Sequence, residues 1–216
     1  MDGELLRFKK DIKYGLIDVE TNGLNLSFQR TRCWQVGVTS AIGETVTLEK
    51  ELWPMFPNHL RDFKVTKEAA FITRYTEEEH IRRAISPEEA FEQFWPILEE
   101  SDYIIMHNGL RFDIFLLKDY AKYMGKPWKW ILPKVLDTNA LAKGHKLGIV
   151  YNRDKETLLE YQYKVSSIIA KGVKTNLKAL GTEFKIPFDE NLLHSAAYDL
   201  KLNFAVWNKL KYMVEI

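Results

Sequence analysis

Leu16-Ile17-Asp18-Val19-Glu20-Thr21-Asn22-Gly23-Leu24 is the stretch whose reading decides this chain. Leu16, Ile17 and Val19 have the branched, apolar character of a buried β-strand, and Asn22-Gly23 is the turn signal that ends it. Side chains alternate across a strand, so Asp18 and Glu20 share one face. Two adjacent carboxylates on an apolar strand repel each other, and burial penalises both charges. A divalent cation held between them resolves the conflict. An edge strand with one solvated face also resolves it, and the stretch alone leaves both readings open.

Outward from this strand, residues 32–39 alternate and are rich in β-formers, and residues 44–48 do so again after Ile42-Gly43. The short links predict an antiparallel meander. Residues 52–74 contain Trp53-Pro54 and Phe56-Pro57, show no clear period, and read as a loop with short structure. Thr76-Glu77-Glu78-Glu79 and Ser86-Pro87-Glu88-Glu89 have the form of helix-starting capping boxes, the second with proline at the first helical position. Ala90, Phe91, Phe94, Trp95 and Leu98 then mark a core-facing helical stripe. Residues 103–106 are an apolar run of the kind buried on both faces of a sheet, ended by His107-Asn108-Gly109. A helix over about 112–124 stops at Gly125 with Pro127 beyond. A strand and a helix follow over about 134–143, broken at Asp137-Thr138, and helices are expected over 155–170, 177–184 and 196–212. Strands first, then strands alternating with helices, predict a mixed α/β sheet with helices packed on it.

The 216 residues, 46% of them hydrophobic, suffice for one well-packed core, so one domain over 1–216 is expected. A net charge of +1 excludes a chain that grips phosphate by bulk basicity, leaving that to local clusters or bound metal. The one cysteine, Cys33, allows no internal disulfide and fits a reducing, cytoplasmic compartment. The acidic start Met1-Asp2-Gly3-Glu4 does not read as a signal peptide, and no window has the uninterrupted apolar length of a membrane span.

Two further acids join the first pair. Asp113, in Asn108-Gly109-Leu110-Arg111-Phe112-Asp113, starts a helix just after the central strand. It could merely complement the helix dipole, but loops leaving central strands are where α/β sheets place their sites. Asp199, in His194-Ser195-Ala196-Ala197-Tyr198-Asp199, lies inside a helix. A separation of five places His194 on another side of a continuous helix, so it reads as preceding the helix on a flexible approach, where a cap or surface role is the plain alternative. Four carboxylates without a Cys/His ligand set suit Mg²⁺ or Mn²⁺ and not zinc. Two such ions ~4 Å apart could clamp the attacking and leaving oxygens of a phosphodiester. A neutral histidine could take the proton of the attacking water.

With these residues in view the chain resembles the DEDD superfamily of 3′→5′ exonucleases, histidine subtype (DEDDh, DnaQ-like), which includes oligoribonuclease, RNase T and polymerase proofreading subunits. The pattern Asp-x-Glu-Thr-x-Gly-Leu is met at Asp18, Glu20, Thr21, Gly23 and Leu24; Asn followed by Phe-Asp at Asn108, Phe112 and Asp113; and His-x4-Asp at His194 and Asp199. Weaker echoes are Gln35-Val36-Gly37-Val38, Leu136-Asp137-Thr138 and Leu177-x-x-Leu180 with Ile186-Pro187. The second motif, His-Asn-Gly-x-basic-Phe-Asp, is similar to the forms in exonuclease I and in phage polymerase exonuclease domains. The resemblance implies an RNase H-like mixed five-stranded sheet, an antiparallel meander plus parallel strands, flanked by helices. It implies Asp18, Glu20, Asp113 and Asp199 as ligands of two Mg²⁺ or Mn²⁺ ions and His194 as general base. Thr21, Leu24, Asn108 and Phe112 are implied to meet the 3′-terminal nucleotide, Leu24 as an apolar wedge. The implied activity releases nucleoside 5′-monophosphates from single-stranded 3′ ends, with DNA slightly favoured over RNA. A polymerase-docked proofreading subunit and an endonuclease on the same fold are the rivals. Residues 143–174 exceed the compact members and receive no role from the resemblance.

Basic residues Arg111, Lys118, Lys122, Lys126 and Lys129, interleaved with Trp128 and Trp130, could hold a single strand by charge and stacking, or simply form a solvated helix face. His145 with Lys143 and Lys146 invites the same pair of readings. Asp137 could support the site or cap the next helix.

Overall fold

The structure, a computed structural model, describes residues 5–23, 32–57 and 64–216. Five strands form one sheet: β1 (Lys13–Thr21), β2 (Cys33–Ile42), β3 (Thr45–Leu52), β4 (Tyr103–Met106) and β5 (Val135–Asp137). Their spatial order is β3-β2-β1-β4-β5, with β1–β2 and β2–β3 antiparallel and β1–β4 and β4–β5 parallel. The mixed sheet is the expected one. The helices are α1 (Lys67–Thr73), α2 (Glu77–Arg83), α3 (Pro87–Glu100), α4 (Asp113–Tyr123), α5 (Thr138–Lys146), α6 (Leu158–Ser167), α7 (Leu177–Glu183) and α8 (Ala196–Leu210). None of the described helices is long and apolar enough to cross a membrane.

Each face of the sheet has its own core. Ile17, Val19, Val36, Val38, Ile104 and Met106 pack against Phe91, Phe94 and Leu98 of α3 and Leu117 of α4. On the opposite face Tyr14, Leu16, Ile105 and Leu136 pack against Leu200, Phe204 and Trp207 of α8, Leu141 of α5 and Val165 of α6. Alternation along β1 thus sends odd positions to the first core and even positions to the second. Asp18 and Glu20 continue the even row on the face that α8 covers. β4 feeds both cores, the arrangement its unbroken apolar run predicts.

Caps account for most helix starts. Ser86 Oγ accepts from Glu89 N, Thr76 Oγ1 from Glu79 N, and Thr157 with Glu160 completes a reciprocal capping box. The region read as a loop with short structure, 52–74, contains α1, capped by Thr66 Oγ1 accepting from Ala69 N. α1 buries none of its residues, so it lacks the apolar period that would have announced it. α6 is shorter than the expected 155–170. Its Gln162 is buried, accepts from Asp137 N at 2.6 Å and donates to Val135 O at 3.0 Å. That side chain thereby satisfies the outer edge of β5 as a further strand would.

Candidate active site

Three features of the fold bring the acids together. The first is local: Asp18 pairs with Gly37 and Glu20 with Gln35 across the β1–β2 ladder, so all four share the α8 face. The register then shifts at Trp34, which is buried among Trp53, Tyr75 and His80. A bulge of this kind beside a site ends regular pairing and re-aims its neighbours.

The second feature is how closely α8 approaches. A Cβ on Gly37 would lie 2.9 Å from both the carbonyl carbon and the Cβ of Ala196, so only glycine lets the helix start rest there. Gln35 Oε1 accepts from Ala196 N at 3.3 Å and holds the same point. Asp199, three residues on, is on the same side of the helix and comes down over β1. Carboxylate oxygens of Asp18, Glu20 and Asp199 all lie within 4.8 Å of one another.

The third feature is the loop after β4. β1 and β4 pair only as far as Leu16 and Ile105, so β1 runs on beyond its neighbour. Val19 N there donates to Asp113 Oδ1 at 3.2 Å, across 94 residues of chain. The loop itself is held by Asp137, whose carboxylate accepts from Asn108 N and Leu110 N, and also from Asn139 N and Ala140 N at the start of α5. Asp137 is therefore both a cap and the anchor of the strand-to-helix loop. Asn108 takes a left-handed conformation (φ 59°), and Gly109 passes so close to Met106 that a Cβ would clash at 2.4 Å.

His194 also sits at positive φ (67°) just before α8, and its N–H donates to both Asp199 oxygens at 3.3 Å. The expected flexible approach is therefore held at its backbone by the neighbouring acid. Asp18, His194 and Asp199 line a cavity of about 450 Å³ together with His107, Asn176, Leu177, Lys178 and Leu193. Of those last five, the sequence names His107 in the second motif and Leu177 in a weaker echo, without a role at the site, and does not mark Asn176, Lys178 or Leu193. His107, adjacent to Asn108 in the motif loop, and Leu177, in the Leu177-x-x-Leu180 echo, carried signals that could have found them.

Electrostatics at the cluster are dominated by uncompensated negative charge. Burial pushes the Asp18 carboxyl well above the carboxylate range, and the charges of Asp113, Glu20 and Asp199 push it further. Burial, then Asp199 and Asp113, raises Glu20 to about 8. Burial raises Asp113 to about 7 and Asp199 to about 6, each partly offset by the backbone N–H groups it accepts from. Among the described residues no lysine or arginine pairs with any of the four. An all-carboxylate donor set this close, short of positive charge, fits hard divalent cations such as Mg²⁺ or Mn²⁺. His194 moves the other way: burial, then the charge of Arg74, lowers it.

Other expected contributors are placed as follows. Thr21 is buried and its hydroxyl donates to Gly23 O at 2.8 Å, closing the turn. Phe112 packs partly buried against the first core. Leu24 lies outside the described residues. Trp128 and Trp130 pack against the core, Trp130 edge-on to Trp95, so they do not form an open stacking platform. Lys118 pairs with Asp119. His145 lines a different cavity with Met213 and Val214, while Lys146 pairs with Glu183 and Lys143 donates to Ser166 O.

A family model described as Exonuclease (RNase T) matches residues 16–207, spanning every one of these acids. The chain belongs to this exonuclease family. Escherichia coli exonuclease I in complex with a dA16 oligonucleotide superposes on the exonuclease-family chain with a TM-score of 0.70 at 14% identity. That match covers 94% of this chain and 41% of exonuclease I. Exonuclease X in complex with 5′-overhanging duplex DNA gives 0.58 at 16% identity, covering 92% of this chain and 91% of that one. Likeness at these identities is one of fold, and this chain spans about two fifths of exonuclease I's length. No curated protein matches the sequence.

Proposed function

We propose that this family member is a 3′→5′ exonuclease that hydrolyses phosphodiester bonds at single-stranded 3′ ends and releases nucleoside 5′-monophosphates. The observation that carries the reading is the convergence of Asp18, Glu20 and Asp199 within 4.8 Å, with Asp113 bonded to the same strand between the first two. Asp18, Glu20, Asp113 and Asp199 would hold two divalent ions. When bound, such ions strengthen water as a nucleophile and offset the charge gathering on the phosphate oxygens.

The chain's own groups do the rest. His194 is neutral at pH 7, because burial and Arg74 both oppose its protonation, and so is free to accept the proton of the attacking water. Its backbone tie to Asp199 fixes the left-handed turn that places it beside the acids. Attack at phosphorus breaks the P–O3′ bond, leaving a 3′-hydroxyl on the shortened strand and the 5′-phosphate on the departing nucleotide. Thr21, Leu24, Asn108 and Phe112 are assigned to the terminal nucleotide. DNA is the favoured substrate on the form of the second motif, RNA the alternative, and a polymerase or replication protein the proposed partner.

The test is digestion of matched 3′-labelled single- and double-stranded DNA and RNA with Mg²⁺, Mn²⁺ or EDTA, with products separated by chromatography. The reading requires metal-dependent release of 5′-mononucleotides from the 3′ end. Release from the 5′ end, cutting of a circular strand, or turnover undiminished by EDTA overturns it.

A further inference from the structure

The segment joining α6 to α7 takes no part in the chemistry above, yet it is fastened to the site at both ends. Arg111, in the loop that leads to Asp113, donates from Nη1 to Ser166 O at 2.7 Å, and Lys143 Nζ donates to the same carbonyl at 3.2 Å. At the other end Asn139 Nδ2 donates to Thr175 O and Thr175 Oγ1 donates back to Asn139 Oδ1, both at 3.2 Å. Asn139 itself lies 3.5 Å from Nε2 of His107 in the wall of the acid cavity. Lys146 Nζ ties the carbonyl of Lys174 at 2.6 Å. The chain then runs directly into Asn176, Leu177 and Lys178, which line that cavity.

Between these tethers the sequence is Ile168-Ile169-Ala170-Lys171-Gly172-Val173-Lys174, with no acid. Ile169 is 99% exposed, an apolar side chain thrust into water from a segment pinned on both sides. Lys171 and Lys174 are exposed and pair with no acid among the described residues. Bound divalent ions would offset the carboxylates at the scissile phosphate alone, and a net charge of +1 offers no general attraction for the phosphates farther along the strand. Local positive charge beside the cavity meets that need.

We propose that residues 168–174 form a wall along which the single-stranded nucleic acid 5′ of the scissile bond runs, with Lys171 and Lys174 meeting phosphates and Ile169 lying against a base. The proposal rests on the exonuclease reading of the adjoining site. An apolar contact with a base face is open only to a strand whose bases are unpaired, so the wall selects single strands. Each phosphate neutralised on a single strand contributes a salt slope of about −0.7, so two lysines account for about −1.4, or roughly twentyfold in affinity near 0.1 M salt.

The test compares the wild type with Lys171→Ala/Lys174→Ala and with Ile169→Asp on a dodecamer and on a dinucleotide of the same end sequence. For the double variant, kcat/KM on the dodecamer falls roughly twentyfold relative to the dinucleotide near 0.1 M salt, and its salt dependence flattens by about 1.4. Ile169→Asp also lowers the dodecamer-to-dinucleotide ratio. Binding of a fluorescent dodecamer in EDTA, followed by anisotropy, reads the wall without turnover. Unchanged ratios and unchanged anisotropy in both variants overturn the wall. A wild type that hydrolyses neither substrate, while the variants still lose dodecamer affinity, overturns the exonuclease reading and leaves the wall standing.

Discussion

Replacing Asp199 by Asn should raise the stability of the metal-free protein while abolishing its turnover. In the parent, Asp199 ionises against burial beside Asp18 and Glu20, and its carboxyl is raised from 3.8 to about 6. Two pKa units correspond to about 3 kcal/mol of penalty on the charged form. Part of Asp199 remains in contact with solvent, and its neighbours relieve some repulsion by holding protons, so ~1–2 kcal/mol is the working figure. The amide oxygen of Asn can keep one of the two contacts from His194 N, and it removes the Coulombic neighbour that weighs most on Glu20. For a chain of this size the gain corresponds to a Tm increase of roughly 2–8 °C in EDTA at pH 8. The penalty changes with pH only where the folded and unfolded states differ in protonation. It is absent below the unfolded value of 3.8, grows as pH rises, and is complete above about 6. The gain should therefore hold from pH 6 to 8 and fade toward pH 4. Saturating Mg²⁺ or Mn²⁺ should reverse the order by stabilising the parent more than the variant. The assay is a thermal melt with and without chelator across that pH range. A variant less stable than the parent in EDTA at pH 8, or one stabilised equally by the ions, refutes the charge-cluster reasoning.

Four other outcomes are expected. The parent in EDTA should melt at lower temperature at pH 8 than at pH 6, because Glu20 at about 8 and Asp113 at about 7 lose their protons in that window against burial and repulsion; a Tm that rises over the same span contradicts this. His194→Gln should lower kcat by about 10²–10⁴ with KM and Tm little moved, measured by steady-state kinetics beside a melt. Asp137→Ala strands four backbone N–H groups and should destabilise by roughly 3–5 kcal/mol in denaturant titration. Gly37→Ala inserts a Cβ 2.9 Å from the Ala196 carbonyl carbon and should cost about 1–3 kcal/mol. By lifting Asp199 off β1, it should also reduce ion-induced stabilisation, which calorimetry can follow.

The strands, the capped helices and the acid pair Asp18 and Glu20 were legible in the chain, because they rest on local signals, whereas Asp113, His194 and Asp199 each had a plain structural reading alone and became site candidates only in combination and through the motif resemblance. Alternation of two marks a strand, a Ser or Thr before acids marks a helix start, and an acid pair on an apolar strand stands out by its charge. α1 was not legible, since a helix that buries nothing leaves no periodic trace. Other features were settled only when distant parts met. Gln162 was one polar residue in a segment without a role until it closed the edge of β5, 25 residues away. Asp137 could be read as a cap, but its hold on Asn108 and Leu110 depends on β5 ending beside β4. Asp113 reaches Val19 only because β1 outruns β4, and Asp199 reaches β1 only because Gly37 lets Ala196 lie against the sheet. Local sequence states which groups need a hydrogen bond or a counter-charge, whereas the partner is supplied by whatever the packing of two cores brings within about 3 Å.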